Sequence, residues 1–549
     1  MDHVRLALLF VAIFSAFLLW QAWRREHGAL QTSAPSSPGL PRADLPSQAP
    51  PGLGKSPPGM GQPKEAIIPG KPALPASAEA LELRTDVWRG HLPLRGADIS
   101  YLELPGYLQH PNPGSAPVVL LDPQRPYVLE TGLVSPDPIP LPTHHEIYQA
   151  AQEAERQGQE VLIRFVWERD GIQVEKTVQA RKGQYIATIG YRVRNTTSEP
   201  IRLRQYGQLK RREGEPAQKR FVHTYNGGAL YDGQYEKVPL NRLQDEPLER
   251  STKGGWVAMV QHYFVGAILP PPEETNQLYG RALSQEVGIM GFLGEIKTIA
   301  PGGELILQQR VFLGPQLQDL LPKVAPGLDR VVDYGYITLL AKPVFHMLHW
   351  FYKLLGNWGW SIVAITFVLK LAFYKLTETQ YRSMARMKQF APRIQALRER
   401  YAEDRARLQQ AMMELYRKEK FNPFGGCLPM LVQMPVFIAL YWVLVESVEL
   451  RQAPFILWIK DLSEPDPYYL LPILFGVSML VQQRLAGTST TMDPTQARIM
   501  QFMPIGLAIF FSFFPSGLVL YWLVSNVISI TQQRWIEKHM ARHASHAIT

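Results

Sequence analysis

What the chain lacks narrows its chemistry first. A single cysteine, Cys427, stands among 549 residues, so no intrachain disulfide can form and any exported part must be held together by its core alone. No Walker A phosphate loop is present, which leaves nucleotide-driven pumping without support. There is no Gly-x-Ser-x-Gly elbow, and His144-His145-Glu146 lacks the second histidine of a zinc-binding HExxH motif. Catalysis, a bound metal and a cofactor are therefore not expected.

What is present falls into two parts that the mean hydropathy of -0.11 averages together. Apolar residues concentrate at the ends, in residues 6–23 and then 358–376, 424–445, 468–483, 499–514 and 517–532, which gives six membrane candidates. The first ends in Trp20-Gln21-Ala22-Trp23-Arg24-Arg25 with no small-x-small cleavage site, so it reads as an uncleaved anchor over 1–27 rather than a signal peptide. Between 378 and 424 lie about eleven Lys and Arg against roughly half as many acids. By contrast, residues 446–467 carry Glu446, Glu449, Asp461, Glu464 and Asp466 against Arg451 and Lys460. The positive-inside rule then makes 378–422 a cytoplasmic helical hairpin and 535–549 a cytoplasmic tail, with both termini inside. It also accounts for much of the +9 net charge that would otherwise suggest nucleic acid.

Residues 28–80 are too rich in Pro, Gly, Ser and Ala to bury a core and read as an extended tether. From 81 to 320 short alternating runs point to a large β-sandwich. Residues 161–169 and 172–180, joined by Asp170-Gly171, form a hairpin pattern, and Tyr185, Ala187, Ile189, Tyr191 and Val193 share one face of a strand. Residues 321–357 read as a linker and an amphipathic interfacial helix with Pro343 near its start, ahead of a helical core over 358–534.

Lys370 is the residue that asks for a function. A charge within a spanning helix costs a few kcal/mol on insertion scales and by default faces a wet cavity. Thr366, Lys370 and Tyr374 recur every four residues and share one helix face; snorkelling of Lys370 toward the helix end is the competing explanation. Tyr521, Ser525 and Ser529 make a second such stripe, and Gln433 lies between Pro429 and Pro435. For these, interhelical hydrogen bonding competes with the lining of a pathway. A basic hairpin surface suits anionic lipid or ribosomal RNA as well as plain solvation.

Several stretches carry a resemblance. Gly356-Asn357-Trp358-Gly359, Asn422-Pro423-Phe424-Gly425-Gly426-Cys427-Leu428-Pro429, Gln433-Met434-Pro435, Ser447 through Phe455 and Phe514-Pro515-Ser516-Gly517-Leu518 resemble the core of the YidC/Oxa/Alb family of membrane protein insertases. Lys253-Gly254-Gly255-Trp256-Val257-Ala258-Met259 resembles the Gram-negative form of the family. The resemblance implies a polytopic α-helical inner-membrane protein with six transmembrane helices, a five-helix insertase core and a periplasmic all-β supersandwich domain. It implies a substrate groove of Lys370, Thr366, Tyr374, Gln433, Tyr521, Trp522 and Ser525. The implied partners are nascent integral membrane proteins, the Sec translocon with its accessory subunits, the ribosome or signal recognition particle pathway, and anionic lipids. The family's groove charge is usually arginine, and this chain has Lys370 at the matching position. Lysine keeps the charge but not the rigid bidentate fork. A secondary transporter would call for inverted repeats around several buried ionisable groups, and a carbohydrate-active exported domain for a site; the sequence displays neither.

Overall fold

The computed structural model describes residues 80–112, 114–212, 224–284, 286–401, 404–418, 428–486 and 494–546. The expected anchor over 1–27, the tether over 28–80 apart from its last residue, and the 422–427 part of the Asn-Pro-Phe motif with Cys427 lie outside the described residues. Those described form a β-rich domain followed by a helical core.

The hairpin pattern around Asp170-Gly171 is realised as strands Glu160–Arg169 and Ile172–Arg181. Both turn residues have positive φ, 49° and 78°, as a two-residue primed turn requires. Side chains alternate along both strands, with Val161, Ile163, Phe165 and Trp167 buried on one and Ile172, Val174, Val178 and Ala180 on the other. The pair belongs to a nine-stranded antiparallel sheet. Its order is Tyr235–Val238, Gly227–Tyr231, Trp256–Gln261, Phe264–Leu269, Glu304–Pro315, Ile186–Asn195, Ile172–Arg181, Glu160–Arg169, Gln149–Gln157. A six-stranded sheet organised on Ile201–Arg212 supplies the second layer, and a four-stranded sheet over residues 80–121 completes the domain. Ala187, Ile189, Tyr191 and Val193 are buried while Arg192 and Arg194 are exposed, as the alternation predicts.

One inward position on this pattern holds a charge. Lys176 is fully buried, and its Nζ donates to Gly96 O at 2.6 Å and Asp98 Oδ1 at 2.7 Å. Asp98 also accepts from the Thr131 N–H and hydroxyl, at 2.9 and 2.5 Å, and the Tyr148 and Tyr191 rings flank the ammonium. Burial pulls the Lys176 pKa down and Asp98 pushes it back. The pair is tolerable only because every partner is in place.

The outer face of the nine-stranded sheet is covered by the chain that leaves it. Ala229, Trp256, Ala258, Val260, Val265, Ala267, Leu269 and Phe312 share one apolar cluster with Leu321, Val324, Leu328 and Val331, and Trp256 Nε1 donates to Pro326 O at 2.9 Å. The cluster continues into helix α1 (Thr338–Leu355), whose Ala341, Val344, Phe345 and Leu348 are buried while Leu339, Trp350 and Leu354 are exposed. Pro343 lies within the first turns of α1, near its start as the sequence suggests. Gly356, at φ 65°, ends α1 with its N–H on Tyr352 O, and the Asn357 side chain accepts from Trp360 N–H at 3.1 Å to start the next helix.

The core contains α2 (Trp358–Ala372), α3 (Tyr374–Arg400), α4 (Arg405–Lys418), α5 (Leu428–Glu446), α6 (Leu470–Ala486), α7 (Pro494–Phe511) and α8 (Ser516–His546). Among the described residues no single helix is long and apolar enough to cross a membrane. The pair 358–372 and 374–382 meets that test together, bent by 62°, and shorter apolar helices cover 433–446, 470–485 and 498–511. Two expectations need correction. The straight helix over 358–376 is broken at Phe373, where the Thr377 hydroxyl takes the Phe373 carbonyl at 3.1 Å. The last helix does not stop at 532 but runs on to His546, through the residues read as a tail, because nothing in Thr531–His546 is a glycine or proline that would end it.

A loop closes one end of these helices. Ser516 N–H donates to Glu464 O at 2.7 Å and Gly517 N–H to Leu462 O at 3.0 Å. Asp466, nearly fully buried, receives the N–H groups of Tyr468 and Leu471 and so caps α6. Phe455 of the same loop lies so close to Gly359 that a Cβ there would meet its ring at 2.0 Å, which ties two of the recognised sequence stretches together. The β-domain is seated on this loop. His262 Nε2 donates to Val445 O at 3.0 Å, Gln452 Nε2 to Leu108 O at 2.9 Å, and Gln318 N–H to Glu449 Oε1 at 2.9 Å, while Glu449 Oε2 is buried without a partner among the described residues.

Removing the acid of the buried pair is expected to leave Lys176 uncompensated. Asp98→Ala should destabilise the β-domain by about 3–5 kcal/mol in denaturant unfolding, with part recovered when Lys176→Met is added. A cost near zero for the single variant would contradict the role assigned to the pair.

Burial pushes Glu449 up to about 7, against an opposing pull from the Gln318 N–H and with a further rise from Asp319. A carboxyl raised above its unfolded value near 4.3 binds more protons in the folded state. Its contribution is therefore fullest below that value and is lost as pH rises through about 7. The thermal midpoint of the wild type is expected to fall, relative to Glu449→Gln, between pH 5 and pH 8. A difference that stays flat over this range would show that Glu449 does not titrate at the junction.

Candidate functional site

Helices α2, α5 and α8 converge on a narrow recess lined by Thr366, Leu369, Lys370, Phe373, Gln433 and Tyr521, among others, with room for about one water molecule. The three helices are apolar enough that each polar side chain they carry toward one another must find a partner. Gln433 Nε2 on α5 donates to Tyr521 OH at 2.9 Å and to Ser525 Oγ at 3.4 Å on α8. Lys370 Nζ on α2 donates to Ser529 Oγ at 2.8 Å, one turn further along α8. Tyr381 of α3 donates its hydroxyl to Ser529 O at 3.2 Å, and Asn526 Nδ2 donates to Ser478 Oγ of α6 at 3.2 Å. The i, i+4 spacing of Tyr521, Ser525 and Ser529 thus becomes one continuous polar seam.

Among the described residues no carboxylate lies within ion-pair distance of Lys370; its only hydrogen bond is to a hydroxyl. An ammonium can donate three hydrogen bonds, so two of its protons stay available. Thr366 lines the recess fully buried, but its hydroxyl donates to Ile362 O at 2.6 Å, which leaves the methyl group as its contribution to the wall.

Lys370, Thr366, Gln433, Tyr521 and Ser525 are therefore brought together, and two of the expected residues are not. Tyr374 falls beyond the break at Phe373, on α3, and its ring faces Trp535 of α8 at 6.3 Å; the stripe through Thr366 and Lys370 assumed a straight helix. Trp522 points away from the recess into an aromatic cluster with Phe437, Phe475 and Phe511, at 5.3, 6.0 and 5.7 Å, because it follows Tyr521 by a rotation of about 100° on α8. Sequence reasoning left Thr377 and Tyr381 out of the site. The helical spacing of Tyr381 from Tyr374 was the available signal, but nothing in the sequence marks the bend that turns Tyr381 onto Ser529.

Around the seam the outward faces are apolar and exposed: Phe367 and Leu371 on α2, Ile473 and Val477 on α6, and Phe502, Ile505 and Ile509 on α7. Exposed apolar surface on this scale marks an interaction with lipid or with another apolar chain. The arrangement pairs a positively charged recess with an apolar flank, suited to a polypeptide carrying a polar segment next to an apolar one.

Two family models match the chain. One, described as the YidC periplasmic domain, matches residues 80–347, and one described as a 60Kd inner membrane protein matches residues 350–543. A membrane protein insertase YidC of Thioalkalivibrio sulfidiphilus is 42% identical over 561 residues, covering 99% of each chain. Its counterpart of the same name from Methylococcus capsulatus is 41% identical over 557 residues, covering 99% of this chain and 100% of that one. Among solved structures, an active YidC insertase with its first transmembrane domain resolved covers 83% of this chain and 94% of its own, at 18% identity and a TM-score of 0.40.

Proposed function

The chain belongs to the YidC family of membrane protein insertases, and we propose that its recess around Lys370 receives the polar exported segment of a nascent inner-membrane protein while the adjoining apolar helix passes sideways into lipid. The observation that supports this reading most directly is a lysine held by a serine hydroxyl, with no acid beside it among the described residues. A charge left without a counter-charge in a largely apolar setting attracts an external one. Transient attraction to acidic residues of the tail brings the tail in, and burial of the substrate's apolar helix, at roughly 0.8 kcal/mol per CH2, drives the step without covalent chemistry.

On this reading the protein is a chaperone as well as an insertase, working alone or beside the Sec translocon. It has six membrane spans when the 1–27 anchor is counted, with the β-domain periplasmic and both termini cytoplasmic. The charge asymmetry between 378–424 and 446–467 supports that orientation. The α3–α4 hairpin would meet a ribosome, the signal recognition particle pathway or anionic headgroups, a reading its density of arginine supports.

The charge of Lys370 is the testable element. Lys370→Arg is expected to support insertion as well as the wild type. Lys370→Ala should slow it several-fold for substrates with acidic exported tails and little for neutral ones, and Lys370→Glu should be slowest of all. Insertion kinetics in proteoliposomes, measured by protease protection, decide the matter: equal losses on acidic and neutral tails would assign Lys370 a structural role instead.

Deleting residues 384–415 is expected to reduce insertion while the seam stays folded, as judged by an unchanged thermal midpoint of the remainder. Insertion at the wild-type rate would reduce the hairpin to a connector.

A further inference from the structure

The seam on α8 does not end at Ser529. One turn on, about 5.4 Å along the helix, stand Gln532 and Gln533, at positions that continue the faces of Ser525 and Ser529. Gln533 is 2% exposed and Gln532 half-buried. The carboxamide oxygens of both are buried with no hydrogen-bond partner among the described residues. For Gln533 the amide orientation is fixed by chemistry: the atom 3.1 Å from Glu537 Oε1 must be the NH2, because a carboxylate only accepts, and so the oxygen is the free end. The adjacent cations Arg534 and Lys538 are on the exposed face of the helix, away from this pair.

A buried acceptor without a donor costs about 1–3 kcal/mol, and two on one turn of a helix are not a packing accident to be expected of an apolar interface. The groups along the seam are also sorted. Lys370 offers donors near the middle, whereas Gln532 and Gln533 offer acceptors one turn past Ser529.

We infer that Gln532 and Gln533 form a second station of the groove, an acceptor site that binds the N–H donors of lysine or arginine residues flanking the substrate's apolar segment on its cytoplasmic side. The inference rests on the insertase reading above and adds to it: the donor station takes the acidic exported tail, the acceptor station holds the basic flank, and the two together fix which end of the segment stays behind. Glu537, bound to the Gln533 amide nitrogen, holds the carboxamide oxygen as the free end.

The test uses the full chain in proteoliposomes with two single-span substrates that share an acidic exported tail and differ only in the cytoplasmic flank, Lys-Lys or Gln-Gln. Gln533→Met, which keeps the side-chain length, is expected to slow the Lys-Lys substrate about tenfold, the cost of one hydrogen bond to a charged group, and to leave the Gln-Gln substrate unchanged. Gln533→Glu is expected to widen the preference for Lys-Lys. Gln532→Cys in a Cys427→Ala background gives a second readout that does not depend on rate: a disulfide to a cysteine in the substrate's flank supports the station, and one formed only to the exported tail overturns it. Equal effects of Gln533→Met on both substrates, or none, overturn it as well. Lys370→Ala, run alongside on the acidic-tailed and neutral-tailed substrates of the preceding test, separates the two readings. If it still discriminates tails while Gln533 variants fail to discriminate flanks, this inference alone falls; if the wild type inserts neither substrate, the insertase reading falls and this one with it.

Discussion

A lysine ammonium in a largely apolar helix bundle, answered among the described residues by a single serine hydroxyl, is the constraint around which the core is arranged. Its burial has to be offset by solvation or by a visiting charge, and both require that the recess stay open on one side. The rest of the seam follows from the same rule. Gln433 bonds Tyr521 and Ser525, Tyr381 bonds the Ser529 carbonyl and Asn526 bonds Ser478, so they hold α3, α5, α6 and α8 in place while Lys370 is left reactive toward outsiders. The buried pair in the β-domain makes the contrast. Lys176 is fully buried, its charge is met by Asp98 and it also donates to Gly96 O, so it is closed to any ligand.

Much of this was legible in the residues. The Asp170-Gly171 hairpin and the alternation over 187–193 could be read because a strand with one buried face imposes period two, and a two-residue turn demands positive φ twice. Lys370 and the 521, 525, 529 stripe were legible because charge and hydroxyls are conspicuous against an apolar background. What the sequence hid was bending and direction. No proline or glycine marks the break at Phe373, so a straight helix was the natural reading and Tyr374 was drawn into a stripe it does not join. Trp522 is adjacent to a lining residue, but adjacency on a helix is a rotation of about 100°, which turned it to Phe437 and Phe475. Lys176 passed unremarked, since a lysine in an alternating strand reads as an outward position until the structure shows it facing in.

The junction between the two parts also alters how the chain is to be pictured. The sequence suggested a domain followed by a linker. Instead the apolar cluster under Trp256 runs without interruption through 321–334 into α1 and the core helices, and the Gln318–Glu449, His262–Val445 and Gln452–Leu108 contacts fasten the β-domain to the closing loop and the end of α5. Glu449 sits at this junction, with one oxygen engaged by the Gln318 N–H and the other buried without a partner among the described residues.

That closing loop has an electrical consequence. Backbone bonds from Ser516 and Gly517 to Glu464 and Leu462, with Phe455 packed onto Gly359, stopper the bundle at one end, while the recess opens elsewhere. Where water reaches deep from one side only, the voltage across a membrane falls mainly over the thin dry layer that remains, not over the full thickness of the bilayer. A charged residue of the passenger would then cross most of the potential in a short final step, at roughly 2.3 kcal/mol per elementary charge for each 100 mV.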